Sequence, residues 1–273
     1  MNRRNKTVGQ IKGVIPLVML CRLSRLVAVL VLVSLGGLWP LDGATGADPS
    51  APKPASKVPN PLASQGLFKF WNFDQQPAGE APAGFVSQTV GVGEAGTWKI
   101  EPEREAPSAP NRLTQATPCP ADGCFHILLA EGLIYDFFDV AVRIRLAEGS
   151  PGEGGMIFGM KDEQNFYAAI ANLETSTVEV LRMREGTVTV LKQMSVPHWK
   201  MPWHLLRVRR NTIMSKEFLE ISFDNSQLFS LEEKAFSPGR IGLVTKGTAV
   251  IAFDNFNAAP LYSQKPISPP AAY

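Results

Sequence analysis

The chain is poor in the side chains that bind metals or act as nucleophile–base pairs: 273 residues carry three histidines and three cysteines. His198 and His204 are separated by Trp199, Pro202 and Trp203, and His126 stands far from both, so no zinc-ligand spacing emerges. A CxxxxC pair, Cys119 and Cys124, without further cysteine or a suitably spaced histidine is no zinc site either. No Ser-His-Asp set has local motif support, and Gly91, Gly93 and Gly96 in GVGEAGTW read as a turn, not a phosphate cradle. Excess charge is missing as well. All six basic residues before Asp48 lie in a leader whose only acid is Asp42; from Asp48 onward 21 Lys+Arg face 24 Asp+Glu, a net charge of about −3. That balance gives no electrostatic footprint for nucleic acid.

Long apolar runs are also scarce, and the one present is informative. Leu26–Leu38 (LVAVLVLVSLGGL) follows Arg22 and Arg25 and is short of the roughly 20 residues of a membrane span. The small residues Ala44–Ala47 offer a cleavage site, so residues 1–47 read as a signal peptide, with Met19 as an alternative start. The chain is therefore expected to be exported to the periplasm or beyond, or, uncleaved, to be anchored in the membrane by this segment. Cys21 precedes the apolar core, the wrong side for lipid attachment. In an oxidising compartment Cys119 and Cys124, framing Pro120-Ala121-Asp122-Gly123, are expected to form a structural disulfide.

Residues 48–61 (DPSAPKPASKVPNP) hold five prolines and read as an extended tether; residues 263–273 form a similar tail. Between them, in 62–262, the apolar period is two and helical spacing is hard to find. VAVRIRL alternates at Val140, Val142, Ile144 and Leu146; STVEVLRMR turns at Glu185-Gly186 into TVTVLKQM; FLEISFD meets QLFSLEE across Asn225-Ser226. Some twelve to fourteen short strands are expected, a sandwich or barrel.

The second half resembles a known family. Gly154-Gly155-Met156-Ile157-Phe158, then Asp162 and Asn165-Phe166-Tyr167, is similar to a strand pair of the concanavalin A-like (laminin-G-like) jelly rolls. The order continues through Val180-Leu181-Arg182, Trp203–Val208, Phe223-Asp224, Gly239–Leu243 and Phe253–Phe256, with Phe70–Asp74 fitting the first strand. The bacterial branch known as domain of unknown function 1080, or 3-keto-disaccharide hydrolase-like, is the most similar in pattern. The resemblance implies an all-β jelly-roll sandwich of two antiparallel sheets; function follows weakly, since this fold hosts lectins, hydrolases and spacers.

Candidate sites divide along those lines. A hydrolase needs two carboxylates within about 9 Å on one face. The E-x-D-x-x-E pattern of glucanases is absent; Glu220 and Asp224 are the nearest pair, and turn and solvent roles suit them better. Asp136 and Asp139 read as strand-entry residues and His204 as a packing histidine, so no catalytic residue is assigned. Sugar binding uses aromatic platforms, for which Tyr135, Phe137, Phe166, Tyr167 and Trp199 are the candidates, while Trp71 and Trp203 read as core. Asp74 and Asp254 fall on the first and last strands, which pair in folds of this type, and together they are a candidate Ca²⁺ site. The expected function is a non-catalytic module binding carbohydrate or an envelope protein, with a glycan-active hydrolase or a structural domain as alternatives.

Overall fold

The computed structural model describes residues 65–119, 123–146, 152–172, 174–197, 201–248 and 250–262. The leader, the whole tether, the tail and Trp199 lie outside the described residues. The chain divides into Met1–Ser56 and Lys57–Tyr273, and the fold is that of the second unit.

Period-two patterning becomes strands throughout. They are β1 (Lys69–Trp71), β2 (Phe85–Val90), β3 (Trp98–Pro102), β4 (Asn111–Gln115) and β5 (Phe125–Ala130). Next come β6 (Phe138–Leu146), β7 (Glu153–Asp162), β8 (Asn165–Asn172), β9 (Thr177–Arg184) and β10 (Thr187–Ser195). The last are β11 (His204–Ile213), β12 (Lys216–Phe223), β13 (Ser226–Glu232), β14 (Arg240–Lys246) and β15 (Ile251–Pro260). A single 3-10 turn, Gln65–Leu67, precedes β1. Among the described residues no helix is long and apolar enough to cross a membrane.

Two antiparallel sheets form. The first runs β13-β12-β11-β6-β15-β4-β3, with β1 also pairing β15; the second runs β10-β9-β8-β7-β14-β5-β2. Alternation implied a sandwich or barrel, and the two sheets form the jelly-roll sandwich that the resemblance implied. Three hairpins close on two residues with positive φ at both: Glu185-Gly186, Asp224-Asn225 and Met214-Ser215. That geometry matches the right-handed twist of the flanking strands.

The facing sides hold one core, including Ile100, Leu113, Val142, Phe158, Ala169, Val180, Leu206, Ile221, Leu243 and Phe253. Each such side chain contributes roughly 1.5–3 kcal/mol when fully buried. A second buried cluster occupies the other side of the second sheet, with Phe125, Ile127, Leu129, Ile157, Phe166, Ile170, Leu181 and Val244. β8 is accordingly buried from Phe166 to Ala171, reading as a continuous apolar run instead of an alternating one.

β15 is the hinge of the topology. Its first half (Ile251–Phe253) pairs β4, and its second half (Phe256–Ala258) pairs β1. Asp254 and Asn255 fall in the gap where its neighbour changes.

Candidate functional site

A polar cleft of about 440 Å³ opens at the β7–β8 turn, lined by Gln88, Lys161, Asp162, Glu163, Gln164 and Arg240. That size lies within the usual range for small-ligand sites. Asp162 builds its rim. Its Oδ1 accepts from Gln164 N (2.8 Å) and Asn165 Nδ2 (2.9 Å), closing the turn. The Asn165 hydrogen bond, followed by the Gln164 N–H, holds the exposed Asp162 carboxyl below its ordinary range. Gly186 N donates to Gln164 O and Glu185 N to Asn165 Oδ1, so the β9–β10 turn braces the rim. Lys161 Nζ donates to Pro238 O.

Two elements distant in sequence complete the cleft. Arg240 opens β14 and pairs with Met160; Gln88 of β2 pairs with Ile127, which puts its side chain on the side of the second apolar cluster. Gln88 Oε1 is buried without a hydrogen-bond partner. Among the described residues, the Arg240 guanidinium and Glu163 carboxylate also make no hydrogen bond or ion pair within 4 Å, Arg240 acting on Asp162 through its charge alone. The cleft thus presents an orphan acceptor, an unpaired planar donor and an unpaired carboxylate. A ligand that both donates and accepts at closely spaced atoms would satisfy all three.

The structure brings Asp74 and Asp254 together through one serine. Ser108 Oγ donates to Asp74 Oδ2 (2.6 Å) and Ser108 N to Asp254 Oδ2 (2.7 Å). Asn72 Nδ2 also donates to Asp74 Oδ2, Asn111 N to Asp74 Oδ1, and Asn255 N to Asp254 Oδ1. Burial pushes the Asp254 carboxyl up to about 6, with the Asp74 charge adding to the rise while the Ser108 and Asn255 N–H groups oppose it. The pair does not fit a Ca²⁺ site as arranged. The serine lies between the carboxylates, and a cation bridging them would displace its donors, while Ca²⁺ wants six to eight oxygens.

Four of the five expected aromatic platforms are core residues, Trp199 lying outside the described ones. Tyr135 (2% exposed), Phe137 (8%), Phe166 (0%) and Tyr167 (0%) show no ring face to solvent. Tyr135 OH donates to Leu67 O, and burial raises its pKa to about 12. Tyr167 OH donates to Glu233 Oε1 and accepts from Phe236 N, and burial raises its pKa further. Phe166 meets Phe125 edge-on. Phe166 and Tyr167 lie on β8, which is buried on both faces, as period-two reasoning did not anticipate, while Tyr135 and Phe137 precede β6, Tyr135 bridging to Gly239. Of the two tryptophans read as core, Trp203 is 7% exposed with the Arg145 guanidinium over its ring, and Trp71 is half-buried, stacked on Phe256.

Cys119 and Cys124 are joined by a disulfide, with Cα atoms 5.6 Å apart. The fold also brings His126 to it, the ligand atoms of all three lying within 4.8 Å. No suitable histidine spacing was visible in the sequence; this convergence corrects that. With both sulfurs in the bridge, the trio offers no thiolate. Gln115 Nε2 donates to Thr117 O and meets His126 Nδ1 at 2.8 Å, which assigns Nδ1 as acceptor and leaves Nε2–H to donate to Glu94 O. GVGEAG therefore lies directly on the cluster: a Cβ at Gly93 would stand 2.7 Å from Cys124 Sγ.

The other acids fall where turns and ion pairs use them. Asp224 opens the β12–β13 turn and accepts from Leu205 N while pairing with His204, which stacks on Phe223. Glu220 accepts from Asn211 Nδ2, Asp139 binds Arg207, and Asp136 accepts from Ser237. A carboxylate pair unmarked in the sequence appears elsewhere. Glu153 and Glu179 both reach Lys246 Nζ, at 2.7 and 4.0 Å. Desolvation raises the Glu179 carboxyl above its ordinary value, Lys246 opposes this and Glu153 adds to it.

No known family model matches the chain, and no curated protein does. Solved structures do. The chain is similar to a carbohydrate binding module CBM66 from Bacillus subtilis at 19% identity and a TM-score of 0.49, covering 63% of this chain and 94% of that one. The Emp47p carbohydrate recognition domain matches at 11% identity and a TM-score of 0.47, covering 69% of this chain and 92% of that one. A β-glucanase from Bacillus licheniformis matches at 11% identity and a TM-score of 0.47, covering 71% and 98%.

Proposed function

We propose that the protein is an exported carbohydrate-binding module that takes a sugar in the cleft between Gln88, Lys161–Gln164 and Arg240. One observation carries this: an orphaned buried acceptor, Gln88 Oε1, shares a cleft with the unpaired Arg240 guanidinium. A pair of vicinal hydroxyls meets both needs, since each hydroxyl donates and accepts. Glu163 and Gln164 supply further acceptors and a donor at the rim. The export leader and the Cys119–Cys124 pair support an envelope or extracellular setting.

The test is affinity electrophoresis of the full chain against soluble polysaccharides, with R240A and Q88A beside wild type. Retardation that falls at least tenfold in both variants supports the cleft. Retardation identical in all three proteins moves the sugar elsewhere.

Glycan hydrolysis, as in the 3-keto-disaccharide hydrolase-like branch, is a second reading supported by Glu153 and Glu179. A raised carboxyl, Glu179, beside a second carboxyl group is the arrangement of a general acid and its partner. The lysine between them argues for an ion-pair role, because it stabilises both charges. Turnover of an aryl glycoside that E179Q abolishes would reverse this preference.

A further inference from the structure

We infer that the outward side of the first sheet is a second carbohydrate-binding surface, in which Phe68 and Phe70 stack on sugar rings and the Arg207–Asp139 pair binds their hydroxyls. The chain contains fifteen phenylalanines. Eleven are buried and two are half-buried; Phe68 and Phe70 alone stand out, 56% and 61% exposed. A fold that buries its aromatics this thoroughly leaves two adjacent rings in water at a cost, which a ligand offsets.

Register shows what faces them. Trp71 turns inward, stacked on Phe256, so Phe70 and Phe68 turn outward. Phe70 pairs with Asn257, Asn257 with Ala141, and Ala141 with Arg207. The next row brings Ala259, Asp139, Arg209 and Glu220 into line. Neighbouring strands are about 4.8 Å apart, so the aromatic edge and the arginines stand roughly 14 Å apart across β15 and β6. The floor between them is made of small side chains, Ala141, Ala259 and Asn257.

The far wall is a fixed hydrogen-bonding array. Arg207 Nε donates to Asp139 Oδ1 at 2.7 Å and Nη2 to the other oxygen, a fork-to-fork pair. Arg209 reaches the same carboxylate at 3.5 Å and Glu220 at 3.7 Å. Asn211 Nδ2 donates to Glu220, while Asn211 Oδ1 is buried without a partner. The Asp139 hydrogen bond holds the Arg207 guanidinium charged more firmly than usual. Such locked planar groups present their outer N–H and lone-pair edges without further ordering. An aromatic edge, a small-residue floor and a polar wall suit a pyranose chain of two rings, apolar C–H faces to the phenylalanines and hydroxyls to the arginines.

This surface belongs to the other sheet and shares no residue with the cleft, so the two are separable. The test uses full-length protein in affinity gels containing laminarin, xylan or dextran, comparing wild type, F68A/F70A, R207K and Q88A/R240A. In any one gel, retardation at least tenfold weaker in both F68A/F70A and R207K and strengthened by F70W supports the inference, whether or not Q88A/R240A is also weakened there. F68A/F70A retarded like wild type in every gel overturns it while leaving the cleft standing. Wild type retarded by none of the three overturns both. Circular dichroism of each variant separates lost binding from lost fold.

Discussion

Asp74 and Asp254 are 180 positions apart in the chain, yet each accepts a hydrogen bond from the same residue, Ser108. The serine arrives on the loop between β3 and β4, filling the gap where β15 exchanges β4 for β1. The turn after β1, where Asp74 falls three residues past the strand on which it was expected, is thereby fastened to β15 by polar contacts.

Burial of Asp254 within that fastening makes stability depend on pH. Asp254 has a folded pKa of about 6 against an ordinary 3.8. A raised carboxyl favours the protonated fold, so its contribution is complete below about pH 4 and is lost as pH rises through about 6. The loss is on the order of 2 kcal/mol. Urea midpoints measured from pH 4 to 7 are expected to fall across that window. D254N should remove the slope, although it leaves a backbone N–H unpaired. Glu101 and Glu233, both held below their ordinary range, act with the opposite sign at lower pH.

Calcium should leave the melting temperature unchanged, with or without EDTA, because Ser108 already occupies the space between the two carboxylates. A rise of several degrees in millimolar Ca²⁺ that S108A enlarges would make the pair cation ligands after all.

Tyr167 separates packing from recognition. Its hydroxyl joins Glu233 to Phe236 N, so Y167F leaves the buried Phe236 N without its acceptor and removes one of the donors to half-buried Glu233, and should cost about 1–3 kcal/mol in urea denaturation. Polysaccharide retardation of the folded variant is expected to match wild type. A selective loss of binding would return Tyr167 to the ligand site.

The disulfide braces a glycine-rich loop. Reducing it, or C119S/C124S, should cost on the order of 2 kcal/mol for so short a loop. Hydrogen exchange is expected to quicken first in residues 91–97, which rest on Cys124 Sγ and His126. Faster exchange spread evenly over the sheets would contradict that placement.

Much of the fold was legible because strand patterning is local. Alternation at Val140, Val142 and Ile144 and the turn at Glu185-Gly186 act over a few positions and point the same way, while the hairpin expected across Asn225-Ser226 closes one residue earlier, on Asp224-Asn225, because Ser226 already pairs with Phe223. Met214-Ser215 shows the limit: neither residue favours positive φ, and the paired strands β11 and β12 impose it.

Composition, leader pattern and period two are properties of the sequence alone; period two determined an all-β chain, and the leader pattern carries the expectation of export. Which residues meet was decided by tertiary structure. Arg240 and Gln88 are 152 positions apart and share a cleft because β14 and β2 both flank β5. Phe166 and Phe70 are the same residue type in similar strand patterns, yet one is 0% and the other 61% exposed. The difference lies in which strands pair beside them and what packs on each face, and a side chain's own neighbours in sequence carry no record of either.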